Sequence, residues 1–176
     1  MVTQYNWRPC LDCKVLFSTG ANGDFHSICP ANNGGGHRIT GNNYILTESN
    51  GIWDVFGLSQ GDWFECGYCR VLFFGGHPVP STSRFFEHGR CIAFHPGHTG
   101  HSPADPAGHA TEVFHTNFRL LRLGDGDHLL SNWRNCWKCQ ALYYSGNTEQ
   151  GKCSAGGEHY GQIFDPAVLN FSLRYL

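Results

Sequence analysis

NWRNCWKCQALY, at positions 132–143, has two close counterparts in the same chain, NWRPCLDCKVLF at 6–17 and DWFECGYCRVLF at 62–73. Each copy contains Trp-x-x-Cys-x-x-Cys followed by a leucine and an aromatic residue. Similarity that recurs along one chain indicates equivalent structural units. The pattern therefore predicts three internal repeats, which lie approximately at 1–58, 59–128 and 129–176.

One more cysteine and then a histidine follow each copy, so that each repeat uses three of the nine cysteines. A Cys-x-x-Cys pair places two sulfur atoms on one tight turn, and a third cysteine with a histidine completes the closed tetrahedral shell of a structural zinc site. Thiolates with one imidazole favour zinc over calcium or magnesium. We therefore predict three structural zinc ions, held by Cys10, Cys13, Cys29 and His37, by Cys66, Cys69, Cys91 and His98, and by Cys136, Cys139, Cys153 and His159.

A disulfide framework is the alternative to zinc. Three cysteines in a repeat would leave one thiol unpaired or shared with another repeat. Disulfides within Cys-x-x-Cys are usually redox-active, and three of them in one chain would be unusual. The number of cysteines in each repeat therefore favours metal binding over disulfide bonds.

The histidine of the middle repeat is the least certain of the ligands. His98 follows Cys91 by seven residues, between the eight and six residues that separate cysteine and histidine in the other repeats, whereas His109 follows a Pro-Ala-Gly segment that resembles the residues before the other two histidines. His95 and His101 are further competitors. We favour His98 and leave the other three open.

Strand-like segments flank every Cys-x-x-Cys pair, and Asn-aromatic-x-Leu recurs at 43–46, 117–120 and 170–173. No segment of useful length has an apolar helical period. Glycine is plentiful and aromatic residues make up 14% of the chain, as in turn-rich β proteins. We predict an all-β, pseudo-threefold single domain over 1–176, β-trefoil-like or β-prism-like, since closure removes exposed strand edges. Three separate zinc beads on a string are the alternative, but the linkers are too apolar for flexible tethers.

Charge and hydropathy exclude several classes of partner. The formal net charge is −2, so the chain lacks the basic field that a nucleic-acid-binding protein needs. No apolar stretch approaches the length of a membrane span. The N-terminal MVTQYNWRPC lacks the basic and apolar regions of a signal peptide. We expect a cytoplasmic or non-classically secreted protein, and the sequence does not predict its oligomeric state.

The repeat resembles one found in poorly characterised bacterial and fungal proteins, with the pattern W-x-W-C-x-K-C-x-x-L-[FY]-[FY] followed by C-P-A-G-G-x-H and an aromatic strand. The third repeat fits best, with WRNCWKCQALYY and CSAGGEH. The first has a longer NNGGG loop, and the second lacks the glycine pair. The resemblance covers nearly the whole chain and implies a structural metal module. It carries no established activity.

Binding rather than catalysis is the function that these features favour, with carbohydrate as the ligand class and a glycan or glycoconjugate as partner. By analogy, the loops rich in Gly, Asn and aromatic residues resemble those of fungal and bacterial lectins and defence proteins. Trp7, Trp63 and Trp133 could stack on sugars, but we expect them in the core. The candidate ligand-binding residues are Trp137, between the two cysteines of the third Cys-x-x-Cys pair, with Asn42, Asn43 and Asp24 in polar loops.

Two alternatives remain beside this lectin-like interpretation. One is an insecticidal or defence toxin component that recognises a target-cell surface. The other is a metallohydrolase that uses the His-rich insertion from about Gly75 to His115 of the middle repeat. A catalytic zinc keeps an open coordination position and usually has a carboxylate base nearby. The insertion has no His-Glu-x-x-His spacing, so we predict no catalytic residues.

Overall fold

The computed structural model describes residues 3–20, 27–33, 35–48, 59–67, 69–75, 91, 118–122, 128–161 and 170–176. Over these residues the secondary structure consists of β-strands and turns, with no helix. The strands are β1 (Thr3–Pro9), β2 (Leu16–Ser18), β3 (Tyr44–Glu48), β4 (Ser59–Glu65), β5 (Leu72–Phe74), β6 (Phe118–Arg122), β7 (Leu129–Asn135), β8 (Leu142–Tyr144) and β9 (Asn170–Tyr175). The expectation of an all-β chain is confirmed.

Each Cys-x-x-Cys turn, called a knuckle below, joins a long strand to a short one in a hairpin. β1 pairs with β2, β4 with β5, and β7 with β8, always antiparallel. The tryptophan of each copy lies opposite the last residue of the short strand: Trp7 opposite Ser18, Trp63 opposite Phe74, and Trp133 opposite Tyr144. The repeated sequence therefore produces the same hairpin three times.

A bulge interrupts the long strand of each hairpin just before its tryptophan. The strand pairs on its other side with β3, β6 or β9, and the register shifts between Gln4 and Trp7 and at the corresponding points of β4 and β7. The residue before each tryptophan has a positive φ of 62° to 69°. Asparagine and aspartate tolerate this left-handed conformation better than most residues. They occupy these three positions, as Asn6, Asp62 and Asn132.

The Asn-aromatic-x-Leu strands form the part of the sheet that connects the repeats. β3 pairs with β6, β6 with β9, and β3 with β9, all antiparallel. The knuckle hairpins are joined as well, by single antiparallel bridges that link Val15 to Tyr143, Phe17 to Val71 and Phe73 to Ala141. The sheet thus nearly closes on itself, so that few strand edges remain open in the described part of the chain.

Two apolar clusters pack against the short strands, and successive residues of these strands belong to different clusters. One contains Trp7, Trp63 and Trp133, all with 0% exposure, together with aromatic and leucine side chains of β3, β6 and β9. The expectation that these tryptophans belong to the core is confirmed. The second cluster contains all nine cysteines and the apolar residues on either side of the leucine that follows each knuckle. The predicted ligands are therefore part of the core.

Much of the predicted middle insertion lies outside the described residues, as do 49–58 and 123–127 between the repeats. Among the residues that the structure does describe, no helix has the length and apolar character needed to cross a membrane.

Candidate metal centres

Four predicted ligands of the first repeat meet at one buried point. Cys10 and Cys13 belong to the knuckle between β1 and β2, and Cys29 and His37 come from the loop that follows β2. Their ligand atoms all lie within 4.8 Å of one another. The third repeat brings Cys136, Cys139, Cys153 and His159 together in the same way.

The distances between these atoms fit one tetrahedral ion. Cys10 Sγ lies 3.7 Å from Cys29 Sγ, and Cys13 Sγ lies 3.4 Å from His37 Nδ1. Zinc–sulfur bonds of about 2.3 Å and zinc–nitrogen bonds of about 2.0 Å at tetrahedral angles place the sulfurs about 3.8 Å apart and sulfur and nitrogen about 3.5 Å apart. A disulfide would require about 2.05 Å between sulfurs. The first cluster therefore has the dimensions of a zinc site.

The third cluster repeats this geometry. Cys136 Sγ lies 3.8 Å from Cys153 Sγ, and Cys139 Sγ lies 3.6 Å from His159 Nδ1. None of the nine cysteines of the chain forms a disulfide, and all are buried. Two separate repeats thus give the same donor set with the same spacing, as expected of equivalent metal sites.

The middle repeat brings three cysteines together, Cys66, Cys69 and Cys91. Cys66 Sγ lies 3.7 Å from Cys91 Sγ, which is the same separation as in the first repeat. Its predicted histidine ligand, His98, and the competitors His95, His101 and His109 lie outside the described residues. Three cysteine sulfurs of the predicted middle site are therefore in place.

Each of the two predicted ligand histidines that the structure describes stacks on an aromatic ring of the hairpin in its own repeat. The rings of His37 and Phe17 stack with centroids 4.6 Å apart, and those of His159 and Tyr143 stack with centroids 4.9 Å apart. Nδ1 of each histidine faces a thiol, whereas Nε2 is buried without a hydrogen-bond partner. Nδ1 is therefore the atom that would bind the ion. The sequence analysis did not predict this stacking. The aromatic residue that follows the leucine after each Cys-x-x-Cys pair is the sequence feature that could have indicated it.

The ionisation of the thiols indicates why a cation belongs at these points. Burial raises the pKa of Cys13, and the hydrogen bond with Cys10 raises the pKa of Cys29 to about 11. Hydrogen bonds from Cys13 and Cys29 in turn lower the pKa of Cys10. Without a cation, burial and the neighbouring sulfurs thus oppose ionisation of Cys13 and Cys29. Buried thiolates need compensation by opposite charge, and a divalent ion supplies it.

Surface interactions hold the loops that carry the histidines. In the first repeat, Arg38 forms an ion pair with Asp12 of the knuckle, which lowers the pKa of the Asp12 carboxyl group. In the third repeat, Lys138 Nζ donates hydrogen bonds of 2.7 Å to the carbonyl oxygens of Gly156 and Glu158. Both arrangements join a knuckle to its histidine loop, by different side chains.

The candidate ligand-binding residues lie in different surroundings. Trp137 is 50% exposed and Asn42 is exposed, whereas Asn43 is half-buried and its Oδ1 accepts a hydrogen bond from the backbone of Asn6. Asp24 lies outside the described residues. Tyr160, 51% exposed and next to His159, was missed by sequence reasoning because it stands outside the repeated pattern.

Comparison of the chain with protein-family models, with curated proteins and with solved structures gave no match. The three clusters are consistent with a repeat that binds zinc, as the resemblance implied, but no family match confirms that resemblance.

Proposed function

We propose that this chain is a pseudo-threefold β domain, held together by three structural zinc ions, that binds carbohydrate without catalysing a reaction. The observation that carries the binding proposal is an exposed aromatic pair, Trp137 and Tyr160, beside the third metal cluster. The metal ions would order the binding loops rather than contact the ligand.

Zinc is supported by the donor set and by the distances. Three cysteine sulfurs and one imidazole nitrogen, buried at the spacing of a tetrahedron, match a closed structural zinc site. When bound there, zinc would supply a positive centre that neutralises buried thiolates and joins a knuckle to its histidine loop. Four protein ligands leave no position for water or substrate, which favours a structural over a hydrolytic role.

Pseudo-threefold symmetry is supported by the pairings around each knuckle. The three hairpins share the same register, the same bulge position and the same positive φ before the tryptophan. β3, β6 and β9, one from each repeat, pair with one another. A single β-trefoil-like or β-prism-like domain of three repeats accommodates all of these contacts.

The aromatic pair occupies a fixed place in the third repeat. The backbone N–H of Trp137, inside the knuckle, donates a 3.1 Å hydrogen bond to the carbonyl oxygen of Tyr160, which follows the predicted ligand His159. Both aromatic residues are thus attached to backbone that the metal cluster orders. Preorganised aromatic faces bind flat apolar surfaces at a low entropic cost, and the C–H face of a sugar ring is such a surface.

The first repeat makes the same backbone bond without aromatic side chains. The N–H of Leu11 donates to the carbonyl oxygen of Arg38 over 2.8 Å, and Arg38 is committed to its ion pair with Asp12. Leu11 is exposed like Trp137. The first knuckle therefore offers an aliphatic counterpart on the same backbone, which makes it a natural control.

A glycan-array screen of the zinc-loaded protein tests the proposal, with Trp137→Ala as the binding variant and Leu11→Ala as its matched control. Selective binding that Trp137→Ala abolishes and Leu11→Ala retains would support a sugar site at the third knuckle. A blank array from folded protein that holds three zinc ions would reject carbohydrate as the ligand. Binding that survives Trp137→Ala would reject this site.

A further inference from the structure

One carbonyl group beside every knuckle accepts a hydrogen bond from a different repeat. It belongs to the residue that follows the second knuckle cysteine. All three bonds measure 2.9 Å and run from Ser18 N–H to Arg70, from Phe74 N–H to Gln140, and from Tyr144 N–H to Lys14. The first repeat thus donates to the second, the second to the third, and the third to the first. The bonds form a closed cycle.

Each acceptor is positioned by its own knuckle. Lys14, Arg70 and Gln140 have φ values of 63°, 61° and 60°, in the left-handed region that residues other than glycine seldom adopt. The N–H of each donates back to the carbonyl oxygen of the first knuckle cysteine, over 3.0, 2.9 and 2.6 Å. An ion that holds both cysteines of the knuckle would stabilise this turn and, with it, the direction of the carbonyl group.

Side-chain packing between repeats follows the same cycle. Each buried tryptophan meets the aromatic residue of the next repeat's Asn-aromatic-x-Leu strand edge to face, with centroids 5.2 or 5.3 Å apart. The pairs are Trp7 with Phe118, Trp63 with Phe171, and Trp133 with Tyr44. The hydrogen bonds and the aromatic contacts therefore connect the same neighbours.

We propose that the three metal sites are coupled through this cycle, so that metal ions enter and leave them cooperatively. Loss of one ion frees a knuckle and disorders the carbonyl group that accepts the hydrogen bond from the preceding hairpin of the cycle. Binding of one ion orders that acceptor in advance, so the neighbouring site binds metal with less ordering still to be done. The proposal rests on metal binding at the clusters and is independent of the ligand proposed for Trp137.

Native mass spectrometry of the wild-type protein during stepwise removal of zinc by a chelator tests the coupling. Cooperative sites give mainly metal-free and three-zinc molecules, with fewer one- and two-zinc molecules than random loss from three equal sites produces. A random distribution would overturn the proposal. Failure to bind three ions at all would instead reject the zinc proposal, so the two failures are distinguishable.

Substitutions at Lys14 test the path of the coupling without removing a ligand. Lys14→Val strains the left-handed conformation because the side chain is β-branched, whereas Lys14→Gly keeps it and also removes the lysine side chain. We expect more one- and two-zinc molecules from Lys14→Val than from Lys14→Gly. Equal distributions in the two variants would contradict a path through this carbonyl group.

Hydrogen exchange in Cys13→Ser gives an independent readout. The Tyr144 amide bonds to Lys14 of another repeat, whereas the adjacent Ser145 amide bonds to Asn132 within its own repeat over 2.8 Å. We expect exchange at Tyr144 to accelerate about tenfold or more, with less change at Ser145. Retained protection at both amides in a protein that binds two zinc ions would overturn the proposal. The wild-type distribution decides the question if Cys13→Ser does not fold.

Discussion

The backbone N–H of Asn6 donates a 3.1 Å hydrogen bond to Oδ1 of Asn43, and Asn132 makes the same bond to Asn170 over 2.8 Å. Asn6 and Asn132 lie in the bulges before the buried tryptophans, with φ of 68° and 69°. The strand ladder is shifted there, so a side chain takes the place of a main-chain acceptor. This bond explains why an asparagine begins the Asn-aromatic-x-Leu strands.

Asn43→Ala is expected to destabilise the protein by about 1–2 kcal/mol, because the partly buried N–H of Asn6 would lose its acceptor. The matched control is Asn42→Ala, since Asn42 is the adjacent residue and is exposed. Urea unfolding of the two variants and the wild type measures the difference. An equal effect of both substitutions would show that the bond contributes nothing specific.

Cys139→Ser is expected to lower the zinc content of zinc-saturated protein by one equivalent and to destabilise the fold by about 3 kcal/mol or more, because metal binding is coupled to folding. Elemental analysis gives the metal content and thermal unfolding gives the stability. Trp137→Ala serves as the control, since Trp137 lies in the same knuckle with an exposed side chain. Unchanged metal and stability in Cys139→Ser would disprove the assignment of the third site.

The sequence predicted what lies within one repeat better than what lies between repeats. The knuckle hairpins and the ligand clusters follow from local spacing, because a Cys-x-x-Cys turn and its flanking strands are specified by neighbouring residues. The contact of Trp7 with Phe118 joins residues far apart in the chain, and no pattern within either segment selects that partner. The exposed Tyr160 was likewise missed because exposure depends on the folded surface.

The stability of the metal-free and zinc-loaded forms is expected to respond differently to pH above about 8.5, the ordinary pKa of a thiol. In the metal-free fold, burial raises the pKa of Cys139, and the hydrogen bond with Cys136 raises that of Cys153 to about 11. Hydrogen bonds lower the pKa of the remaining thiol, Cys136. Below the unfolded-state pKa of about 8.5 the lowered group makes stability rise with pH, whereas the two raised groups contribute stability that is present below about 8.5 and is lost as pH rises toward 11.

Zinc removes this loss at high pH, because it keeps all three thiols of a site ionised and so lowers their effective pKa in the folded state. The stability that zinc adds is present above about pH 8.5 and is lost as pH falls and protons displace the ion. Melting temperatures from about pH 5 to about pH 10, with and without a chelator, measure both trends. Parallel curves for the two forms would contradict metal binding by these thiols.

His98→Ala is expected to reduce the zinc content of the middle repeat, because its distance of seven residues from Cys91 lies between the eight and six residues of the other two repeats. His109→Ala is the matched comparison, since His109 is the principal competitor by its preceding residues. Competition with a chromophoric chelator compares the affinities of the two variants. Weakened binding in His109→Ala with an unchanged His98→Ala would reverse the assignment.

Gly151→Ala is expected to destabilise the protein more than Gly156→Ala, although both glycines have positive φ, of 74° and 97°. A Cβ atom at Gly151 would lie 2.4 Å from the carbonyl oxygen of Cys13, whereas a Cβ at Gly156 meets no atom within 4 Å. Both substitutions strain the backbone by about 1 kcal/mol or more, but only Gly151→Ala also pushes the third repeat away from the first knuckle. The difference between the melting temperatures of the two variants measures the effect of that contact on stability. Equal losses of stability would show that the first knuckle tolerates the displacement, which would argue against tight packing between these repeats.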